Sequence, residues 1–233
     1  MMTDPRDEAV QATCLVKAVP RFGDLPTHAS GQRMLLAGNG LFVQMKTPWL
    51  DCTTRVAEVG MHLPYGSLDE TIAFAFGVIP VGLLERFLKE ARLELPNETA
   101  GALIFNVRTG GLRLAMHEAV AAGPGHVSYR IEELPDDELL AVDLHSHGRL
   151  PAFWSTADDR DDQGVRVCGV FGNLDRARPT ARFRLVLNGL FKDLAHPWQV
   201  TGDARCRRVR GRRAHPMQGS PSPAWLKAPG PRG

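Results

Sequence analysis

The run Leu139–His145 is rich in apolar residues and ends in His145-Ser146-His147. After residues 148–154 comes Ser155-Thr156-Ala157-Asp158. The apolar run reads as a buried strand that stops at the first histidine. Side chains two apart on a strand share a face, so His145 and His147 present their rings to the same side while Ser146 faces away. Gly148-Arg149-Leu150-Pro151 cannot easily extend that strand, and Ser155-Thr156-Ala157-Asp158 reads as the first turn of a helix. The order is therefore strand, loop, helix, with two imidazoles and a carboxylate at the joint.

Three such ligands leave a fourth tetrahedral position open for water, as a catalytic rather than a structural zinc (Zn2+) site requires. Each part also has a plainer use. Ser-x-x-Asp is a capping pattern, in which Ser155 accepts from a backbone N–H and the acid favours the helix dipole. His-x-His alone has many non-metal uses. Capping and ligation are compatible, and it is the conjunction that points to a metal. Asp159, Asp161 and Asp162 compete as third ligand, but Asp158 shares a helix face with Ser155 and is the best placed.

The stretch His145-Ser-His-Gly-Arg-Leu-Pro-Ala-Phe-Trp-Ser-Thr-Ala-Asp158 resembles the signature of the JAB/MPN (JAMM) zinc metallopeptidases. That signature is an upstream Glu, then His-Ser/Thr-His-Pro, about seven residues and Ser-x-x-Asp. One departure is Gly148, where the family usually has Pro; it alters the rigidity of the turn and removes no ligand. The upstream acid is best matched by Glu98, in Glu98-Thr99-Ala100-Gly101-Ala102-Leu103, with Glu94 close by. The resemblance implies an α/β (α+β) fold with a cytidine-deaminase-like core sheet flanked by helices. It also implies metal ligands His145, His147 and Asp158, catalytic Glu98 and Ser155, and hydrolysis of a peptide or isopeptide bond.

The chemistry explains why a distant Glu is wanted. Zinc lowers the pKa of a water it holds to roughly 7, and a carboxylate that is not a ligand can take the proton as that water attacks a carbonyl. Glu98 is the expected base and also returns the proton to the leaving amine, while Ser155 donates a hydrogen bond to the developing oxyanion. Without the His motif, Glu98 would read as an exposed turn residue.

At 233 residues and 43% hydrophobic, the chain has material for one large or two small domains. It contains no apolar run of membrane-spanning length, and Met1-Met2-Thr3-Asp4-Pro5-Arg6-Asp7-Glu8 is too polar for a secretory signal. The expectation is a soluble, cytoplasmic protein without a membrane partner. Cys14, Cys52, Cys168 and Cys206 are scattered, which gives neither a zinc ribbon nor a disulfide framework. The lack of Pro-Cys-x-x-Cys also argues against a zinc nucleobase deaminase.

Along the chain, Met34–Ala37 and Leu41–Met45 read as strands joined by the tight turn Gly38-Asn39-Gly40, with a further strand through Trp49 to Val59. Residues 1–75 form an N-terminal β-rich unit in this reading, with a turn at Pro64–Ser67. Residues 76–200 form the metallopeptidase-like domain. It opens with a helix over Pro80–Glu94, whose apolar face is Leu83, Leu84, Phe87, Leu88 and Ala91. Ala100–Val107 and Leu112–Val120 read as a hairpin, and Val127–Ile131 as a strand. Val165–Gly172 and Ala181–Gly189 read as alternating, paired strands turned by Asp175–Pro179. Arg149 and Trp154 are placed to gate or pack on a substrate, and Trp154 equally reads as a core anchor.

Residues 30–195 also resemble the protein A family of the bacterial PRTRC cassette, a plasmid-associated gene set. That resemblance implies a ParB-related protein, a ThiF-like E1-type activating partner and a small ubiquitin-like protein, and so a ubiquitin-like conjugate or precursor as substrate. Residues 201–233 carry Arg205, Arg207, Arg208, Arg210, Arg212 and Arg213 before a Pro/Gly/Ser-rich end and read as a disordered tail. Such charge attracts nucleic acid, but no aromatic interleaving accompanies it and the formal net charge is only +2. A solvated tail is the preferred reading. Against the enzyme stand two alternatives, a catalytically silent scaffold of the same fold and a nucleic-acid-associated partner protein. The intact set of ligands and proton-transfer groups favours the enzyme.

Overall fold

The computed structural model describes residues 4–117, 119–123, 126–129 and 133–195. The expected tail, residues 201–233, lies outside the described residues. Two compact units divide the described chain between Gly77 and Val78.

The first unit is a five-stranded sheet in the order β1-β2-β3-β4-β5. Its elements are α1 (Pro5–Thr13), β1 (Leu15–Ala18), β2 (Gly31–Ala37), β3 (Gly40–Lys46), β4 (Leu50–Ala57) and β5 (Thr71–Phe74). The expected hairpin is there, with Gly38-Asn39 joining β2 to β3 and Ala37 opposite Gly40. Two parts were not expected from sequence. Strand β1 runs parallel to β2, and the stretch after the Pro64–Ser67 turn forms a further strand, β5, which pairs with β4. The core gathers Val19, Leu35, Ala37 and Phe42, with Leu25 and Leu68 packed against them. The near-parallel rings of Trp49, Phe74 and Phe76 lie 5.0–6.2 Å apart at the β4–β5 end.

The second unit is a six-stranded mixed sheet with helices on its two faces. After α2 (Val81–Leu93) come β6 (Ala100–Asn106), β7 (Leu112–Met116), β8 (Ala119–Gly123), β9 (His126–Tyr129), β10 (Glu138–Ser146), α3 (Thr156–Asp161), β11 (Val165–Gly172), β12 (Thr180–Leu187) and β13 (Leu190–Leu194). The sheet order is β13-β12-β11-β10-β6-β7, with β8 and β9 a separate hairpin. The stretch read as one strand over Leu112–Val120 is thus two, divided near His117. Strand β10 pairs antiparallel with β6 and parallel with β11. That parallel step needs a crossover, which the loop 147–155 and α3 supply.

Helix α2 presents Leu84, Phe87, Leu88 and Ala91 to the interior, and the Phe87 ring meets Phe171 at 5.5 Å. The other face carries a cross-strand row of polar residues, in which Asp143 pairs with Cys168 and Cys168 with Arg184. Strand β11 is covered on both faces, and residues 167–172 are all buried. The alternation expected for it is therefore replaced by a continuous apolar run, as a strand sandwiched between layers requires. Among the described residues, no helix is long and apolar enough to cross a membrane, and Cys14, Cys52 and Cys168 are not in disulfides.

The loop that carries the site is laced to the end of β11. Backbone N–H groups of His147, Asn173 and Leu174 donate to the carbonyls of Phe171, Leu150 and Gly148 at 2.7, 2.7 and 2.9 Å. This closeness depends on Gly172, where a Cβ would stand 2.3–2.4 Å from backbone atoms of Leu150, Pro151 and Ala152. Gly172→Ala should therefore push the loop off the sheet and destabilise the fold by about 1–3 kcal/mol, an overpacking cost. Denaturant unfolding checks this, and an unchanged midpoint would show the loop free to move aside. Gly148 adopts φ 53°, a left-handed conformation that proline cannot take. The departure from His-Ser/Thr-His-Pro thus goes with a different turn.

Candidate metal centre

Three elements meet at the carboxyl end of β10. The strand delivers His145, the first loop residue delivers His147, and α3 brings Asp158 back over them. Nε2 of His145 lies 3.3 Å from Nε2 of His147 and 3.3 Å from Oδ1 of Asp158, whose Oδ2 is 3.9 Å from His147 Nε2. His145, His147 and Asp158 are the group that can hold a metal ion among the described residues, with their ligand atoms all within 4.8 Å of one another. Two ring nitrogens converging on one carboxylate suit a borderline divalent cation. The spacing supports this, since ligands about 2.0–2.1 Å from a tetrahedral zinc stand about 3.3–3.4 Å apart. The residues fit the ion.

Helix α3 reconciles the two readings of Ser-x-x-Asp. Ser155 is its N-cap, with Oγ accepting from the Asp158 N–H at 3.1 Å, while Asp158 Oδ2 accepts from the Ser155 N–H at 2.6 Å. This capping box occupies one carboxylate oxygen and leaves Oδ1 turned to His145. Asp158 therefore ties down the helix start and faces the ion position at once. Of the other acids considered, Asp159 and Asp162 turn instead to Arg184, whose guanidinium holds both, and Asp161 is exposed.

The electrostatics follow from burial and this pairing. Burial opposes charge on His145, but the hydrogen bond and charge of Asp158 outweigh it, and the imidazole pKa is raised. For Asp158, burial acts upward, yet His145 and the Ser155 contacts hold the carboxyl well below the usual range. His147 moves down, through burial and then the neighbouring His145 charge. Without an ion, a proton on His145 answers the carboxylate, so protons and a cation compete for one corner. Cys168, beneath, is pushed up by burial and by Asp162 and Asp143, and stays a thiol.

Glu98 lies on the lead-in to β6. Ala100 stands opposite His145, and the Ser146 N–H donates to the Thr99 carbonyl at 2.9 Å. The half-buried Glu98 lies two residues before Ala100, next to Thr99. Trp154 is half-buried, with its ring 6.1 Å from that of His145, and Phe153 meets His147 edge-on at 4.5 Å. Arg149 is exposed. The residue sequence reasoning passed over is Arg184, 3% exposed and set in the apolar run Phe183-Arg184-Leu185-Val186-Leu187. A cation inside a buried strand was the signal.

Residues 80–186 match the family described as prokaryotic homologs of the JAB domain. The second unit carries a JAB domain. Residues 4–75 match a domain of unknown function, DUF2016, ahead of the JAB domain. No curated protein matches the chain. Among solved structures, protein DSY2949 from Desulfitobacterium hafniense is similar at 19% identity and a TM-score of 0.39, covering 49% of this chain and 87% of its own. The JAB family contains JAMM metallopeptidases, and the His-His-Asp cluster is consistent with a metal site.

Proposed function

We propose that the JAB domain is a zinc-dependent peptidase or isopeptidase, with His145, His147 and Asp158 holding the ion. The observation that carries this is the convergence of His145 Nε2 with His147 Nε2 and Asp158 Oδ1, each 3.3 Å away. When bound, zinc supplies a positive centre that polarises a carbonyl and lowers the pKa of water. Glu98, two residues ahead of the Ala100 that pairs with His145 and outside the ligand set, takes the proton of the attacking water and returns it to the leaving amine. Ser155 steadies the charge that grows on the scissile carbonyl oxygen. Its Oγ already accepts from the Asp158 N–H, and a hydroxyl that accepts one bond still has its own hydrogen to donate.

The resemblance to the PRTRC protein A family makes a ubiquitin-like conjugate or precursor the preferred substrate, with a ThiF-like E1-type protein as its cassette partner. The test is elemental analysis of purified, untagged protein followed by cleavage of ubiquitin-like fusions. About one zinc per chain and cleavage abolished by chelation are expected. Absence of zinc even after its addition would leave a scaffold of the same fold as the better account.

A further inference from the structure

Arg184 lies in the centre of β12 and is almost wholly removed from solvent. Its guanidinium carbon stands 4.0 Å from the ring centroid of Trp154 and 4.2 Å from that of Phe191. Nε and one terminal nitrogen donate to Asp162 Oδ2 at 2.9 and 2.6 Å, and the other terminal nitrogen donates to Asp159. One face lies on Phe191 of β13, and the other face and both edges belong to groups next to the metal corner. Trp154 immediately precedes the N-cap Ser155, and Asp159 and Asp162 follow Asp158 on α3 and its C-cap. Asp162 also meets the Cys168 thiol of the adjacent strand.

A helix of six residues cannot hold itself together in water. Its own hydrogen bonds and the capping box fix its first turn, and no side chain of α3 is buried. Beside the Asp158 contact with His145 and the Asp162 contact with Cys168, the guanidinium ties it to the sheet, being planar and reaching two acids at once in a way a lysine ammonium cannot. The apolar alternative at this position would leave Asp162 buried without a counter-charge.

We propose that Arg184 is a positioning residue of the metal centre, clamping Trp154, Asp159 and Asp162 so that α3 holds the Asp158 carboxylate against His145. This rests on the metal reading above. It differs from a simple charge effect in sign. Deleting a buried cation close to a bound cation should, by electrostatics alone, tighten metal binding. Loss of a clamp should loosen it, and partners that orient ligands typically contribute 10- to 100-fold in affinity.

The experiment is competition titration of zinc against a chromophoric chelator, with full-length wild-type, Arg184→Gln and Arg184→Lys proteins well below their metal-free unfolding temperatures. The visible absorption of cobalt(II) in place of zinc is recorded beside it, as a readout of coordination geometry. Both variants are expected to bind zinc about 10- to 100-fold more weakly, with an altered cobalt spectrum. If Arg184→Gln does not fold, Arg184→Lys, which keeps the charge but not the fork, carries the test. Unchanged or tighter binding by the folded variants, or an unchanged cobalt spectrum, overturns the clamp while the metal centre stands. Failure of the wild-type protein to bind zinc overturns both.

Discussion

Glu98→Gln should leave zinc bound and lower turnover about 100- to 10,000-fold, the usual span for loss of a general base. Glutamine keeps the shape of the side chain and removes only its capacity to carry a proton. Glu98 is outside the ligand cluster and lies two residues before Ala100, the partner of His145, so the substitution is expected to separate proton transfer from metal binding. Steady-state cleavage of a ubiquitin-like fusion, with zinc measured on the same preparation, reads both. Full turnover by Glu98→Gln would remove Glu98 from the mechanism. Zinc lost along with activity would instead make it part of the ligand framework.

His147→Ala is expected to abolish zinc binding and cleavage together. Two donors, His145 and Asp158, remain, and they are already paired with each other at 3.3 Å. Without His147 they satisfy one another as an ion pair and offer little to a cation. The backbone at 147 is held independently, by its N–H donating to the Phe171 carbonyl at 2.7 Å, so the loop should keep its path. Elemental analysis beside circular dichroism distinguishes the outcomes. Near-stoichiometric zinc in a folded His147→Ala protein would mean that the ion sits elsewhere.

What could be read in the sequence was the chemistry carried by short spacings. His-x-His on a strand end and Ser-x-x-Asp at a helix start are local geometry, and both ends of the centre followed from them. Helix α2 was legible from its apolar face, and the β2–β3 hairpin from Gly38-Asn39. The rest depends on what lies across the sheet. Strand β1 is exposed along its length and has no apolar period to betray it. Its backbone pairing with β2 makes it a strand. The parallel pairing of β10 with β11 leaves no mark in either segment, and Arg184 acquires meaning only when Asp162, Trp154 and Phe191 gather around it. Glu98 was found through a resemblance, because a single acid before a strand has no signature of its own.

The capping box has a further consequence, for what position 158 can tolerate. Histidine or cysteine there would still offer a donor to a metal, and serine or asparagine could still take part in a helix cap. A longer acid would keep the charge but carry its oxygens past the Ser155 N–H. Aspartate alone does both tasks with one short side chain, one oxygen for each. Substitution there would thus split the two tasks, histidine or cysteine keeping a donor without the reciprocal bond to the Ser155 N–H, serine or asparagine keeping a cap without the acid, and only aspartate retains both.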